Sequence, residues 1–579
     1  MSLARICFCL ALSWPVFGAD APAPVPLDRV VSEINLPPGF HAALYAGEPH
    51  VVQPIAMATD ARGRLWVVEC LSYPEWTKEQ GGRDRVTIFE DRDGDGRFDE
   101  RKVFFERGRN LSGIALGFGG VWLCSTPELI FIPDADGNDV PDGEPQVLLD
   151  GWSLEIQHNV FNSLNWGPDG WLYGCHGILK TSLVGAPGTP EAQRVPINCG
   201  VWRYHPTRKV FEVVAHGTTN PWGIAIDELG QMFVANCVIK HLFHVMPGAR
   251  YERMFGDDFN PYAFQLIPSI ADHIHWAGGF WDTEGAEHPQ NDAFGGGHAH
   301  SGAMIYSGDM FPRQYRGRFL TVNIHGRRVN QDRLERQGSG YVARHAEDLL
   351  RINDSWFRGV SVIPAQDGGI FVSDWSDAGE CHDYEDIHRD NGRIYKITHG
   401  NSRFPAFDLR RQSDTDLVRN LADQNDWVAT QSRMILQERG REVSKEARVV
   451  LEGILQRGAD TRHRLRALWT LHALGELTHD RAVRWLADPD EYIRAWTVQL
   501  ALEASGENAA LNSELAKLAP AEPSAFVRRY LSSALQRVQA ADRFRLAAGL
   551  AGHPEDARDQ NIPLLIWYGI EPLVSEDEA

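Results

Sequence analysis

From Pro54 to Asp374 one pattern of apolar and polar positions recurs six times. It is a short apolar strand, a Gly-containing turn, then a second strand carrying a large apolar residue. The copies are PIAMATDARGRLWVVE from Pro54, SGIALGFGGVWLCS from Ser112, NSLNWGPDGWLYGCH from Asn162, PWGIAIDELGQMFVAN from Pro221, SGAMIYSGDMFPRQYRGRFLTVN from Ser301 and RGVSVIPAQDGGIFVSD from Arg358. Their anchors are Trp66, Trp122, Tyr173, Phe233, Leu320 and Phe371, at spacings of 56, 51, 60, 87 and 51. A unit of about 50 residues made of paired short strands fits a β-propeller blade. Outer hairpins are visible as RVTIFED with RKVFFE, ELIFIPD with QVLLDG, and GVWRYHP with VFEVVAHG. Six copies close a ring and remove open sheet edges. The pattern therefore predicts a six-bladed, all-β propeller of four-stranded blades over residues 36–400. The long fourth spacing predicts an insertion at about 247–297.

Beyond His399 the alternation stops and helical spacing begins. Segments starting at Leu421, Thr461, Leu486 and Pro523 carry apolar residues three and four apart. Two of them share an Asp, a short turn and Val/Ile-Arg, which predicts an all-α region of HEAT-like helical repeats over 414–575. Such a region is expected to fold independently, to carry no catalytic group, and to offer a surface to a protein partner. At the other end, Arg5, the apolar run Ile6 to Phe17 and the small residues Gly18 and Ala19 predict a signal peptide over 1–19. Export to the periplasm or the exterior follows. No other apolar run reaches the ~20 residues that span a bilayer, so no transmembrane segment is expected.

The 579 residues carry 57 basic against 78 acidic side chains, a net charge of −21. That balance argues against nucleic acid or an anionic membrane as partner. The six cysteines beyond the leader are scattered and are expected to be mostly buried free thiols. With no C-x-x-C-H, no covalent haem is expected in this chain.

Hairpin geometry brings the residue before each first strand and the residue ending each second strand to one end of the ring. The first set includes His158, Asn220, His300 and Arg358, the candidates for catalysis. The second includes His176, Asn236, Asn323 and Asp374, the candidates for holding a cofactor. A concave mouth with convergent polar groups is the default binding site. The insertion adds His273 and His275, and it runs into His298 and His300, with Cys381 and His382 nearby in the sequence pattern. These histidines either shape a pocket by hydrogen bonding, the favoured reading, or hold a transition metal. Two acidic loops match position by position. Asp91, Asp93, Asp95 and Asp99 in one, and Asp134, Asp136, Asn138 and Asp142 in the other, are candidate calcium ligands.

HNVFNSLNWGPDGWLYGCHG, NPWGIAID, NCVIKHLFHVMPGARYERMFG, ADHIHW, GGGHAHSG, NIHGRRVN and SDWSDAGECHD together resemble the propeller of the membrane-bound dehydrogenase domain family of planctomycete and verrucomicrobial proteins. Relatives of that kind often continue through HEAT repeats into a cytochrome c module, which this chain lacks. More distantly, the propeller is similar to soluble quinoprotein sugar dehydrogenases, which hold pyrroloquinoline quinone at the channel mouth. That likeness implies a catalytic His at His158 and an Arg at Arg358. The family's Arg-Asn pair stands here as Thr219 and Asn220, and its calcium-binding Gly-Pro turn has no counterpart at Cys237–Ile239. Three functions stay open. The favoured one is an oxidoreductase acting on a sugar or other alcohol. The others are a non-catalytic binding scaffold and a metal-dependent carbohydrate hydrolase or lyase.

Overall fold

The computed structural model describes residues 23–75, 81–263, 265–277, 290–379, 387–400, 407–505 and 508–574. The leader expected over 1–19, and Cys381 and His382, lie outside the described residues.

Six sheets stand in a ring around a channel, each led by the strand that the repeat begins with. The first strands are Pro54–Thr59, Leu111–Leu116, Asn162–Trp166, Pro221–Ile226, His300–Ile305 and Gly359–Pro364. The second strands are Leu65–Glu69, Gly120–Ser125, Leu172–His176, Met232–Asn236, Arg318–Asn323 and Ile370–Asp374. Each anchor sits three residues before the end of its second strand and is buried. The pattern arises because blades pack face to face, so both faces of a second strand are covered and the largest apolar side chain falls at one depth. The ring closes where Phe40–Gly47, from the N-terminal side, pairs antiparallel with Arg393–His399 as the outer strand of blade 6.

The blades are less uniform than the expected six sets of four. Blade 4 has three strands, ending at Leu242–Val245. Blade 5 is enlarged: Arg328–Gln337 pairs with both Gly340–His345 and Leu350–Ile352, and Ile34–Asn35 adds to its rim. The insertion takes up the slack. Arg250–Arg253 runs parallel to the outer strand of blade 3, and Ala271 bridges to Ala343 of blade 5. All six first strands shift register near their mouth end, for example between Asn162 and Asn165 and between Ser301 and Met304. Such bulges re-aim side chains beside functional sites. At two of them glycine is required. Gly223, at φ +126°, would put a Cβ 2.4 Å from the Ala303 amide, and Gly302, at φ +63°, would meet the Val360 carbonyl.

The helical region spans Asp414 to Val574 as two rows. The inner row is Asp426–Arg439, Thr461–Ala473, Glu491–Ser505, Ala525–Ala534 and Ile562–Val574, each packed on the next. Most of the caps are the side chains that satisfy a first turn: Asn425, Asp460 and Ser524 accept from amides of their own helices. Among the described residues no helix is long and apolar enough to cross a membrane.

The helical part, expected to fold independently, is packed on the propeller. Its elements touch the first hairpin turn of every blade. The indole of Trp427 donates to Thr59 Oγ1 at 2.7 Å, and the Phe118 amide donates to Glu438 at 2.9 Å. Gln437 donates to the Gly170 carbonyl, and Trp496 to that of Leu229. The Asp426 amide donates to Ser307 O, and Asn425 to Gln366 O. Deeper still, the buried guanidinium of Arg203 in blade 3 bonds Asp169 at 3.1 Å and Glu503 of the helical region at 2.7 Å. The same guanidinium lies 3.9 Å over the Trp171 ring, whose indole donates to Glu503. The helices cap one end of the ring and leave a channel cavity of about 290 Å³ beneath them.

Candidate functional site

At the uncapped end, a second cavity of about 80 Å³ is lined by His158, Asn220 and Arg358, three of the four residues singled out for catalysis. They reach it from the loops that lead into blades 3, 4 and 6. Tyr73, Trp222 and Trp375 complete much of the wall, with the Tyr73 and Trp375 rings edge to face at 5.0 Å. Asn220 is held by its own amide, which donates to Asn236 Oδ1 at 3.1 Å, while its Nδ2 donates to His158 O at 3.4 Å. Its Oδ1 is buried with no partner among the described residues.

Arg358, expected to meet an anion, turns its guanidinium to backbone. Its guanidinium donates to the carbonyls of Ser355, Phe357, Ala378 and Gly379 at 2.6–2.9 Å, tying the loop after blade 6's second strand to the mouth. Cys237, also on the wall, donates its Sγ–H to His300 O at 3.0 Å, and burial pushes its thiol up to about 12. The five cysteines described are all free thiols, four of them buried, as expected.

The four candidates for holding a cofactor do not line this cavity. They are the last residues of their second strands, and they bond backbone within the mouth loops. Asn236 Oδ1 accepts from the amides of Thr219 and Asn220, and Asp374 Oδ1 from those of Arg358 and Ser376. Asn323 donates to the carbonyls of Gly295 and Gly297. His176 donates from Nδ1 to Gly177 O and accepts at Nε2 from Ser182 Oγ. Burial holds His176 down at about 4, hence neutral, and burial raises Asp374 to about 7. These residues are strand-end clamps. Glu69 and Ser125 do the same work in blades 1 and 2, by accepting from Val52 N and donating to Arg109 O.

His300 also lies away from the cavity wall. It belongs to a cluster between blades 4 and 5 that includes His241, His273, His275, His345 and the carboxylate of Asp332. His275 Nδ1 and His300 Nε2 are 2.8 Å apart, and the Nε2 atoms of His273 and His275 are 3.1 Å apart. His241 Nε2 meets Asp332 Oδ2 at 2.8 Å. Burial, with the neighbouring imidazoles, holds His275 and His300 well below the usual histidine range. Sequence reasoning found the two His pairs but missed His241 and Asp332. Both sit on strands or loops of other repeats, four residues beyond Cys237 and mid-strand in blade 5, where no spacing signals them. The aromatic wall was missed as well, although Trp222 and Trp375 lie next to or just beyond residues that were found.

The two acidic loops are turns between third and fourth strands, on the capped side of the ring. They are built alike. Asp91 accepts from the amides of Gly94 and Gly96, and Asp134 from those of Asn138 and Asp139. Asp99 and Asp142 each accept from the amide that follows the first Asp. Carboxylate oxygens of Asp91, Asp93 and Asp99, and of Asp134, Asp136 and Asp142, converge within 4.8 Å. Asp95 stands outside the first group.

The sequence profile of a domain of unknown function, DUF7133, matches residues 27–401, and the chain belongs to that family. No curated protein matches it. Among solved structures it is similar to a protein of Thermus thermophilus provisionally named an oxidoreductase (glucose dehydrogenase), 16% identical, covering 62% of this chain and 100% of that one, with a TM-score of 0.40. It is similar to the PQQ-bound aldose sugar dehydrogenase of Streptomyces coelicolor, 15% identical over 63% of this chain and 99% of that one, TM-score 0.40. A third is the pyranose dehydrogenase PQQ domain of Coprinopsis cinerea, 14% identical over 63% and 97%, TM-score 0.38.

The described residues do not fit pyrroloquinoline quinone. The quinone carries three carboxylates, and the cavity's one described guanidinium, Arg358, already holds four carbonyls. At Cys237–Ile239 the Cys237 thiol and the Val238 amide donate to the carbonyls of His300 and His298.

Proposed function

We propose that this member of the DUF7133 family takes a small neutral hydroxylated molecule, a sugar or other polyol, into the mouth cavity and oxidises one hydroxyl there. The observation that carries this reading is the buried, unpartnered Oδ1 of Asn220, beside His158, on a wall of aromatic and apolar side chains. A buried acceptor without a donor costs about 1–3 kcal/mol, and a ligand hydroxyl supplies the donor. The rings of Tyr73, Trp222 and Trp375 offer flat faces to the C–H side of a sugar ring. The engagement of Arg358 with backbone favours a neutral ligand over an anion. His158 takes the hydroxyl proton as general base while the carbon's hydride leaves, and the carbonyl forms. The two electrons go to a diffusible quinone-class acceptor.

The test is a panel of sugars and polyols, read by thermal shift and by reduction of a quinone-type dye. A compound that both stabilises the protein and reduces the dye is the expected result. Both effects should fall at least tenfold in His158→Ala and Asn220→Ala. Stabilisation without dye reduction selects the scaffold reading, which the small, mostly apolar cavity favours. No stabilising compound sinks both. We also propose export by the leader over 1–19, to be checked by N-terminal sequencing of secreted protein, and structural Ca²⁺ in the two acidic loops.

A further inference from the structure

We propose that His241, His273 and His275, with the Asp332 carboxylate beside them, form a site for one divalent first-row transition metal ion, Zn²⁺ above all, between blades 4 and 5. The argument starts from the hydrogen-bond chain through the cluster. His300 Nδ1 lies 3.3 Å from the His298 carbonyl, which can only accept, so that nitrogen carries the proton. His300 Nε2 is then an acceptor, and Asn323 Nδ2 approaches it from the other side at 3.4 Å. It receives Nδ1–H of His275 at 2.8 Å, which leaves His275 Nε2 as a bare lone pair. On the other side, His273 Nδ1 faces the Asp272 carboxylate at 2.9 Å and donates to it. Burial opposes the charged ring, but Asp332 and Asp272 raise His273 above the ordinary histidine value, and a bound cation would displace its Nε2 proton and leave a second lone pair there.

Those two lone pairs face one another at 3.1 Å, and His273 Nε2 lies 3.2 Å from Asp332 Oδ1. Three acceptors that close repel unless a cation joins them. A tetrahedral ion bonded at about 2.0–2.1 Å to nitrogen or oxygen sets its ligand atoms about 3.3 Å apart, close to both spacings. His241 brings a further ring nitrogen, and ligand atoms of His241, His273 and His275 all lie within 4.8 Å. His241 is 1% exposed, and its Nδ1 has no partner among the described residues. One extra proton on His273 Nε2 would answer its contacts with His275 and Asp332 but would leave His241 Nδ1 without a donor or an ion.

The surroundings are those of a metal site. Asp272 orients His273 through the nitrogen away from the cluster, and Arg344 holds Asp272 at 2.8 Å. A carboxylate behind a ligating imidazole fixes tautomer and ring orientation. His300 does the same for His275. Imidazole ligands suit Zn²⁺ and its first-row neighbours rather than Ca²⁺ or Mg²⁺. The three histidines supply three positions of a tetrahedral ion, with the Asp332 carboxylate at hydrogen-bond distance from two of them. The ion joins the insertion (His273, His275) to the blade 4 loop (His241) and to blade 5 (Asp332), and pins the insertion beside the mouth.

The test uses the full-length purified protein. Metal is stripped with dipicolinate, and the protein is titrated with Zn²⁺ and with Co²⁺. One tightly bound equivalent, with the intense visible bands of tetrahedral Co²⁺, is expected. His275→Ala and His273→Ala should abolish it. His273 is partly exposed, so its variant keeps the test valid if the buried one fails to fold. Asp272→Asn should retain the site with about 10–100-fold weaker binding. No stoichiometric binding by the wild type overturns the proposal, as does binding unchanged in His273→Ala, an octahedral Co²⁺ spectrum, or an imidazolium signal from His273 in metal-saturated protein.

Discussion

The two ends of the ring are made by the same six hairpins and finished in opposite ways. At the capped end a second layer of helices meets the first hairpin turn of every blade. Buried charges there pair across the two layers, as in Arg203 with Asp169 and Glu503. At the mouth, strand-end residues clamp the connections to the blades. Side chains are left over that nothing in the blade needs, including Asn220 Oδ1 and the histidine cluster. The difference separates stability from chemistry. Ion pairs that complete each other across the layers tie the cap to the blades, and at the mouth unpaired groups that gather around a cavity or around one another mark where a ligand belongs.

The comparison breaks most visibly at the cap. Glu503→Ala leaves the buried Arg203 guanidinium with Asp169 and Glu212 only and takes the acceptor from the Trp171 indole, a loss of about 1–3 kcal/mol. Denaturant unfolding should show that loss. Ending the chain after the propeller should give a protein that no longer melts cooperatively, because Trp427, Trp469 and Trp496 leave their places on the turns. A truncated propeller with the stability of the whole would make the two ends equivalent.

Substitutions at the mouth should do the reverse. Asn220→Ala and His158→Ala are expected to change stability by less than about 1 kcal/mol while removing ligand binding, since neither completes the core. Calorimetric titration with the stabilising polyol, beside a melt of each variant, separates the effects. A variant that unfolds and one that binds normally are equally damaging to the assignment.

Much of this architecture was legible. Six anchors recurred because each occupies one depth in a face-to-face stack, and the residue three places on recurred because each second strand ends in a clamp. That second regularity misled. His176, Asn236, Asn323 and Asp374 look like ligands in sequence, since a clamp and a ligand are both polar residues at a strand end. Only the hydrogen-bond partners tell them apart. His241 and Asp332 were illegible for the opposite reason, as they converge from different blades across about 90 residues of sequence. The cap was read as helices but not as a cap, because Glu503 and Arg203 lie 300 residues apart.

A smaller effect sharpens the clamp reading. Burial raises the Asp374 carboxyl from 3.8 to about 7, so the folded protein holds a proton there that the unfolded chain releases near pH 4. The folded state binds more protons between those values, and its stability from this group is present below pH 4 and declines as pH rises to about 7. The slope is at most about 1.4 kcal/mol per pH unit. Asp374→Asn removes the titration. The melting difference between variant and wild type should therefore move in favour of the variant from pH 5 to pH 8. A constant difference across that range removes the titrating clamp.

The smallest expected effect lies on the capped side, in the acidic loops. Burial holds Asp91 and Asp134 above the ordinary carboxylate range, and each faces two further carboxylates within 4.8 Å. Ca²⁺ would relieve both costs, and it accepts the six to eight oxygens that loops of this flexibility supply, whereas Mg²⁺ demands an octahedron and keeps its water. At ten times the dissociation constant, one site stabilises the fold by about 1.4 kcal/mol. For the two sites together, in a chain of this size, that is a rise of about 2–3 °C in melting temperature. Millimolar Ca²⁺ should give that rise and Mg²⁺ less. Asp99→Asn should remove roughly half of it, since the loops are built alike and the second keeps its ligands. No rise with Ca²⁺ would make the loops turns held by their own amides, and the carboxylates would then be the cost of the turn rather than a site.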